Sequence, residues 1–159
     1  MDFFYPNFGN DMWRIIGLVC FGDKDHFVDV EPRRFRKDDI VAFLHAEGIA
    51  LYDTASAVIR TKNTASDKDL EVVEQTDLDA LLHQLPQCTT IITTGQKATD
   101  VLCAHFGLRQ QPSVGDFVSF RWADRDMRFY RMPSSSRAYP LKLEEKARRY
   151  AVLPFQRTL

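Results

Sequence analysis

Stretches with helical periodicity alternate with short β-branched runs along nearly the whole chain, and this alternation limits the fold more than any single motif. The segment NDMWRIIGLVCFG (10–22) places Trp13, Ile16 and Cys20 on one helical face, with Asn10 as N-cap and Gly22 as stop. Residues 38–47 repeat the pattern and end before Gly48, and IALYD (49–53) reads as a short buried strand. Thr76 caps DLDALLHQL, Pro86 breaks the chain, and TTIITT (89–94) is the next strand. Gly95 turns into the helix QKATDVLCAHF. FVSFRW and MRFYRM flank a polar turn at 123–126 as a hairpin or as two successive strands, and LKLEEKARRYAVL closes as a helix. Helices between short apolar strands predict an α/β fold, a three-layer α/β/α sandwich with a mainly parallel central sheet. Ligands of such sheets bind outside the carboxyl ends of the strands.

A length of 159 residues with 45% hydrophobic content suits one compact domain spanning 1–159. Three cysteines, Cys20, Cys88 and Cys103, stand at no zinc or redox spacing, which predicts buried thiols in a reducing interior and argues against a disulfide framework. No apolar run approaches the length of a membrane span, and MDFFYPNFGN lacks a signal-peptide layout, so a cytoplasmic monomer with no membrane partner is expected. His26, His45, His83 and His105 are scattered, and structural roles are expected for them rather than metal ligation. Gly95-Gln96-Lys97 lacks the spacing of a phosphate loop.

The net charge of −1 hides an asymmetry, because residues 121–149 hold nine Lys/Arg against four Asp/Glu. Such a window is either the footprint of a polyanion or, for Lys142, Glu145, Lys146 and Arg149, a solvated helix face with i,i+3 and i,i+4 pairs. At its centre lies RMPSSSRAYP (131–140), at the carboxyl end of the last strand. Pro133 fixes one dihedral, and three short hydroxyl residues let a ligand approach closely while offering hydrogen bonds. The same residues also suit a plain turn that caps the closing helix.

MPSSSRAYPLKLEEKARRYAVL resembles the second signature of the uracil-DNA glycosylase superfamily, in its mismatch-specific thymine/uracil branch. YPNFGNDMW is similar to that branch's aromatic segment entering an Asn-x-x-Trp helix, and GIALYDTA to its glycine-led strand ending at the base pocket. TTGQKATDVL falls where the family has a strand, a glycine and a helix, so the matches run in family order over most of the chain.

The resemblance implies a base-excision repair glycosylase that flips out uracil or a mismatched or deaminated base and hydrolyses its N-glycosidic bond, with no metal and no cofactor. The partner is damaged or mismatched duplex DNA, or single-stranded DNA. By position, Ser134, Ser135 and Ser136 hold phosphates flanking the flipped nucleotide, and Arg137 plugs the vacated stack, with Tyr139 as the rival wedge because Arg-Ala here departs from the family's Ala-Arg order. Counting back from Trp13, Tyr5 matches the aromatic that stacks on the extruded base, while counting from Pro6 selects Phe3, and Phe4 is grouped with them as a base-stacking residue. Phe3, Phe4 and Phe8 also read as a core aromatic cluster. Asp53 matches a base-edge position, where a carboxylate accepts from an N–H edge, acts as a general base toward water, or caps the segment from Thr54. The family's first strand and its water-activating loop have no counterpart in the sequence. The expectation is therefore an N-terminally incomplete domain that binds DNA and cleaves at most at a trace rate, with a non-catalytic DNA-binding module as the alternative. Iron–sulfur branches need four cysteines, and three exclude that cluster from one chain.

Overall fold

A computed structural model describes residues 5, 8–29, 31–52, 55–60, 70–75 and 77–154. The elements in chain order are α1 (Met12–Phe21), β1 (Val28–Asp29), β2 (Arg34–Phe35), α2 (Lys37–Glu47), β3 (Ala55–Arg60), β4 (Leu70–Gln75), α3 (Leu78–Gln84), β5 (Thr90–Thr94), α4 (Gln96–Phe106), β6 (Asp116–Trp122), β7 (Arg125–Met132) and α5 (Leu143–Tyr150). The chain is an α/β protein, as the alternation predicts, and it divides into two compact units. Among the described residues no helix is long and apolar enough to cross a membrane.

The first unit joins Met1–Tyr52 to Met132–Leu159. Its centre is α1, buried on nearly every side, with α5 packed against it. The Asn10 carboxamide oxygen accepts from Met12 N–H at 2.9 Å, but the N-cap position of α1 is Asp11, one residue after the expected cap. Gly22 and Gly48 terminate α1 and α2 in the left-handed conformation, with φ of 68° and 69°. Gly17 is required for a different reason: a Cβ there would lie 2.6 Å from the Asp23 carbonyl oxygen, where the chain folds back after α1. Trp13, Ile15, Ile16, Phe27, Ile40 and Tyr150 are among the core residues, and β1 and β2 form a short antiparallel ladder. His26 stacks on Phe21 at 3.7 Å beside Phe27 and Phe43, a structural role as expected.

The second unit spans Asp53–Arg131. It holds the antiparallel ladder β3/β4 and a three-stranded sheet in the order β5-β7-β6, with Leu102, Cys103 and Phe129 as its core cluster. The hairpin reading of β6 and β7 holds: they pair antiparallel in unbroken register from Asp116↔Arg131 to Trp122↔Arg125. Ala123 in the turn takes φ 53°. Asp77 caps α3, its carboxylate accepting from Ala80 N–H at 3.0 Å, while Thr76, the residue read as cap, lies outside the described residues.

One expectation needs correction. Residues 49–52 of IALYD form no strand, and Tyr52 is 55% exposed, because Gly48 turns the chain out of α2 into a half-exposed connection. Of the ladders, β1/β2, β3/β4 and β6/β7 run antiparallel. Each joins strands that follow one another directly in the chain, and such neighbours pair antiparallel without a crossover helix.

Candidate functional site

The turn at residues 133–136 is held from two sides within the first unit. Asp11, just ahead of α1, donates its backbone N–H to the Ser135 carbonyl at 2.8 Å, and Asn10 and Ser136 form an antiparallel bridge. From α5, Lys146 Nζ donates to the Ser136 carbonyl at 2.8 Å, and the Tyr150 hydroxyl donates to the Pro133 carbonyl at 2.7 Å. Burial pushes the Tyr150 phenol well above its ordinary range, with the neighbouring Tyr5 adding to the shift. The turn also braces itself, since Ser134 Oγ accepts from Ser136 N–H and Ser136 Oγ from Ala138 N–H, both at 3.2 Å.

Asp11 is the hub beneath this turn. Its carboxylate lies 3.5 Å from Arg14 Nη1, 3.3 Å from Arg137 Nε and 3.4 Å from Lys146 Nζ. The Asp11 and Lys146 side chains are 10% and 1% exposed, so charges from opposite ends of the chain meet in a nearly dry environment. Arg14 is fixed further by donating Nη1–H to the carbonyls of Phe8 (2.9 Å) and Asn10 (3.1 Å), and its guanidinium lies 4.4 Å from the Phe8 ring centre. Burial lowers the Arg14 pKa, and the nearby positive charge of Arg137 lowers it again.

In front of the hub opens a cavity of about 230 Å³ lined by Phe8, Arg14, Asp25, Val28, Arg33 and Arg137. Three guanidiniums against the one carboxylate of Asp25 leave the lining with a net charge of +2. A larger hollow of about 390 Å³ on the β6/β7 hairpin is lined by Ser119, Phe120, Asp126, Met127 and Arg128. It sets one cation against one carboxylate, and so has no comparable polarity. The smaller cavity is the candidate site.

Of the residues singled out in the sequence, Ser134, Ser135, Ser136 and Arg137 stand together at this site. Arg137 is half exposed and lines the cavity. Ser135 is only 3% exposed, and its carbonyl rather than its hydroxyl makes the contact to Asp11. Tyr139 follows in the turn, its N–H donating to the Ser136 carbonyl at 3.1 Å. Tyr5 joins α1, accepting from the Trp13 indole N–H at 3.2 Å, with the two rings 6.1 Å apart edge to face. Its φ of 55° is a left-handed conformation that costs an L-residue on the order of 1–2 kcal/mol. Phe3, Phe4 and Asp53 lie outside the described residues.

Lys146 departs from the solvated-face reading of α5: it is 1% exposed because Asp11 and the Ser136 carbonyl draw it inward, while Lys142 and Arg149 are exposed. Asp11, Arg14 and Arg33 were not foreseen as site residues. The signal for the first two was legible, since Asp-x-x-Arg at the head of an otherwise apolar helix needs a partner for each buried charge.

No protein-family model, no curated protein and no solved structure matches the chain. The glycosylase resemblance therefore rests on the sequence segments that carry it.

Proposed function

We propose that this chain binds DNA in the manner of a base-excision glycosylase, gripping backbone phosphate at the cavity beside the residue 133–137 turn and filling a vacated base stack with Arg137. The observation that carries this reading is the convergence of Arg14, Arg33 and half-exposed Arg137 on one cavity, next to the serine turn that the resemblance assigns to phosphate contact. A guanidinium presents two parallel N–H donors in the geometry of phosphate oxygens. The turn carrying Arg137 is anchored through α1 and α5, so the donors are placed before a ligand arrives and less ordering entropy is lost on binding.

The reaction attached to this reading is hydrolysis of the bond between the sugar C1′ and the base nitrogen. The bonding electron pair leaves with the base, a water oxygen adds to C1′, and the water's proton passes to a base, the role assigned to Asp53. Asp11 is a poor candidate for that role, because its nearly buried carboxylate is already engaged by Arg14, Arg137 and Lys146 within 3.5 Å. The alternative, a module that binds without cleaving, draws support from this same point: the buried carboxylate at the site is committed to structure.

Fluorescence anisotropy on duplexes with and without an abasic site tests the binding. Arg137→Ala is expected to weaken the abasic complex more than the intact one, because a plug acts only where a base has left the stack. Equal losses on both would remove Arg137 from that role. Alkaline cleavage of uracil-containing oligonucleotides by the wild-type chain and by Asp53→Asn separates enzyme from module. Cleavage that vanishes in the variant assigns the base, and no cleavage by either leaves the binding module.

A further inference from the structure

The cavity's charge balance selects among phosphates. We infer that it seats a dianionic phosphomonoester, such as the phosphorylated end of a nucleic acid strand, in preference to the monoanionic diester of an internal backbone position. Taking a strand end as the source rests on the nucleic-acid reading above; the phosphomonoester chemistry itself does not.

Three observations support this selection. The lining carries +2, and the charges behind it add nothing, since Asp11 offsets Lys146. A phosphomonoester at neutral pH carries about −1.5 to −2 and matches that charge, whereas a diester with a single negative charge leaves part of it unmatched. Second, Arg33 has no carboxylate partner among the described residues; its guanidinium lies 5.4 Å from the Phe8 ring centre, the same ring that supports Arg14. Arg33 and Arg137 both act on Arg14 as like charges that disfavour its protonated form. Placing three guanidiniums around one hollow costs repulsion in the empty protein, and an anion held between them removes it. Third, the volume of about 230 Å³ equals roughly eight waters at ~30 Å³ each, room for a phosphate and part of one sugar but not for a stretch of duplex. Phe8 is engaged by guanidiniums and by Phe35, 5.1 Å away, so its role is to align cations.

The test compares one single-stranded oligonucleotide with a 5′-phosphate, with a 3′-phosphate and with hydroxyls at both ends, by anisotropy at fixed salt. A mononucleoside phosphate and inorganic phosphate serve as competitors. At least one phosphorylated end is expected to bind about tenfold tighter than the hydroxyl form, the effect of an added pair of charge-assisted hydrogen bonds. Arg33→Gln is expected to collapse that ratio to about one while far-UV circular dichroism stays unchanged, as suits an exposed side chain. Equal binding of phosphorylated and hydroxyl oligonucleotides, or a ratio that survives in Arg33→Gln, overturns the inference. The two readings fail separately. Hydroxyl DNA that binds through Arg137 with no end preference sinks the phosphomonoester seat alone. A mononucleoside phosphate that binds as tightly as the phosphorylated oligonucleotide keeps the seat and sinks the nucleic-acid reading.

Discussion

Replacing Asp11 by Asn removes one negative charge from among Arg14, Arg137 and Lys146 with little change of shape. At 3.4 Å and an effective dielectric constant near 20, the gross attraction between Asp11 and Lys146 is about 5 kcal/mol. Desolvation of both groups offsets much of it, and removing one partner of a buried pair typically costs ~3–5 kcal/mol. The lower end applies here, because Lys146 keeps the Ser136 carbonyl and Arg14 keeps two backbone carbonyls. The expected loss is therefore about 3 kcal/mol, or a fall in Tm of about 6–12 °C. Lys146→Met should cost a similar amount, and the double variant should be less destabilised than the sum of the singles by at least ~1 kcal/mol, since the neutral Asn/Met pair leaves neither the ammonium nor the carboxylate without its partner. Urea unfolding followed through the buried Trp13, with circular dichroism as a second probe, measures all three variants. A single-variant loss below ~0.5 kcal/mol, or additivity within ~0.3 kcal/mol, would refute the hub.

Three further outcomes follow from the geometry. Tyr150 has its pKa raised by burial, so above pH ~10 the unfolded chain releases a proton that the folded chain keeps and stability falls as pH rises; Tyr150→Phe should remove this alkaline loss while costing about 1–2 kcal/mol at neutral pH through the orphaned Pro133 carbonyl, both read from urea midpoints between pH 7 and 11. Gly17→Ala should destabilise by about 1–2 kcal/mol although Ala favours helices by ~1 kcal/mol, because the new Cβ must displace the Asp23 backbone, and a higher urea midpoint would contradict the close approach. Asp79 has its pKa lowered by hydrogen bonds from the Trp122 indole at 2.8 Å and then from His105 at 3.1 Å; its small stabilisation, present above the ordinary carboxylate range near pH 4 and lost as pH falls through its own lower pKa, should be missing from the acid limb of Asp79→Asn, with Trp122 emission as a local reporter.

What the sequence disclosed depended on how local the cause was. Gly22 and Gly48 stop their helices through their own backbone freedom, Asn10 accepts from an amide two residues on at the head of α1, and the β6/β7 hairpin follows from two apolar runs around a short polar turn. These interactions close within a few residues and leave a readable pattern. IALY misled because an apolar run of four does not say whether it is buried, and here Gly48 sends it into a half-exposed connection. Lys146 misled for the opposite reason: its spacing from Lys142, Glu145 and Arg149 is that of a solvated face, while its burial is decided by Asp11, 135 positions earlier. The serine turn was found as a motif, but its anchoring through the backbone carbonyls of Ser135 and Ser136 leaves no trace in residue identity. Arg33 contributes through convergence with two arginines from other parts of the chain, which only the folded unit reveals.

The first unit takes its two halves from either side of Asp53–Arg131, and this sets an order of events on the ribosome. At roughly 5–20 residues per second, on the order of ten seconds separate the emergence of Asp11 from that of Lys146. During that interval α1 has no α5 to pack on, and Trp13, Ile15 and Ile16 face solvent or a chaperone while the intervening unit can already pair its strands. A nascent chain from which only the residues up to 131 have emerged would therefore carry a completed β6/β7 hairpin and an adhesive, unfinished N-terminal helix, and the arginine cavity would come into being only once Arg137 and α5 follow.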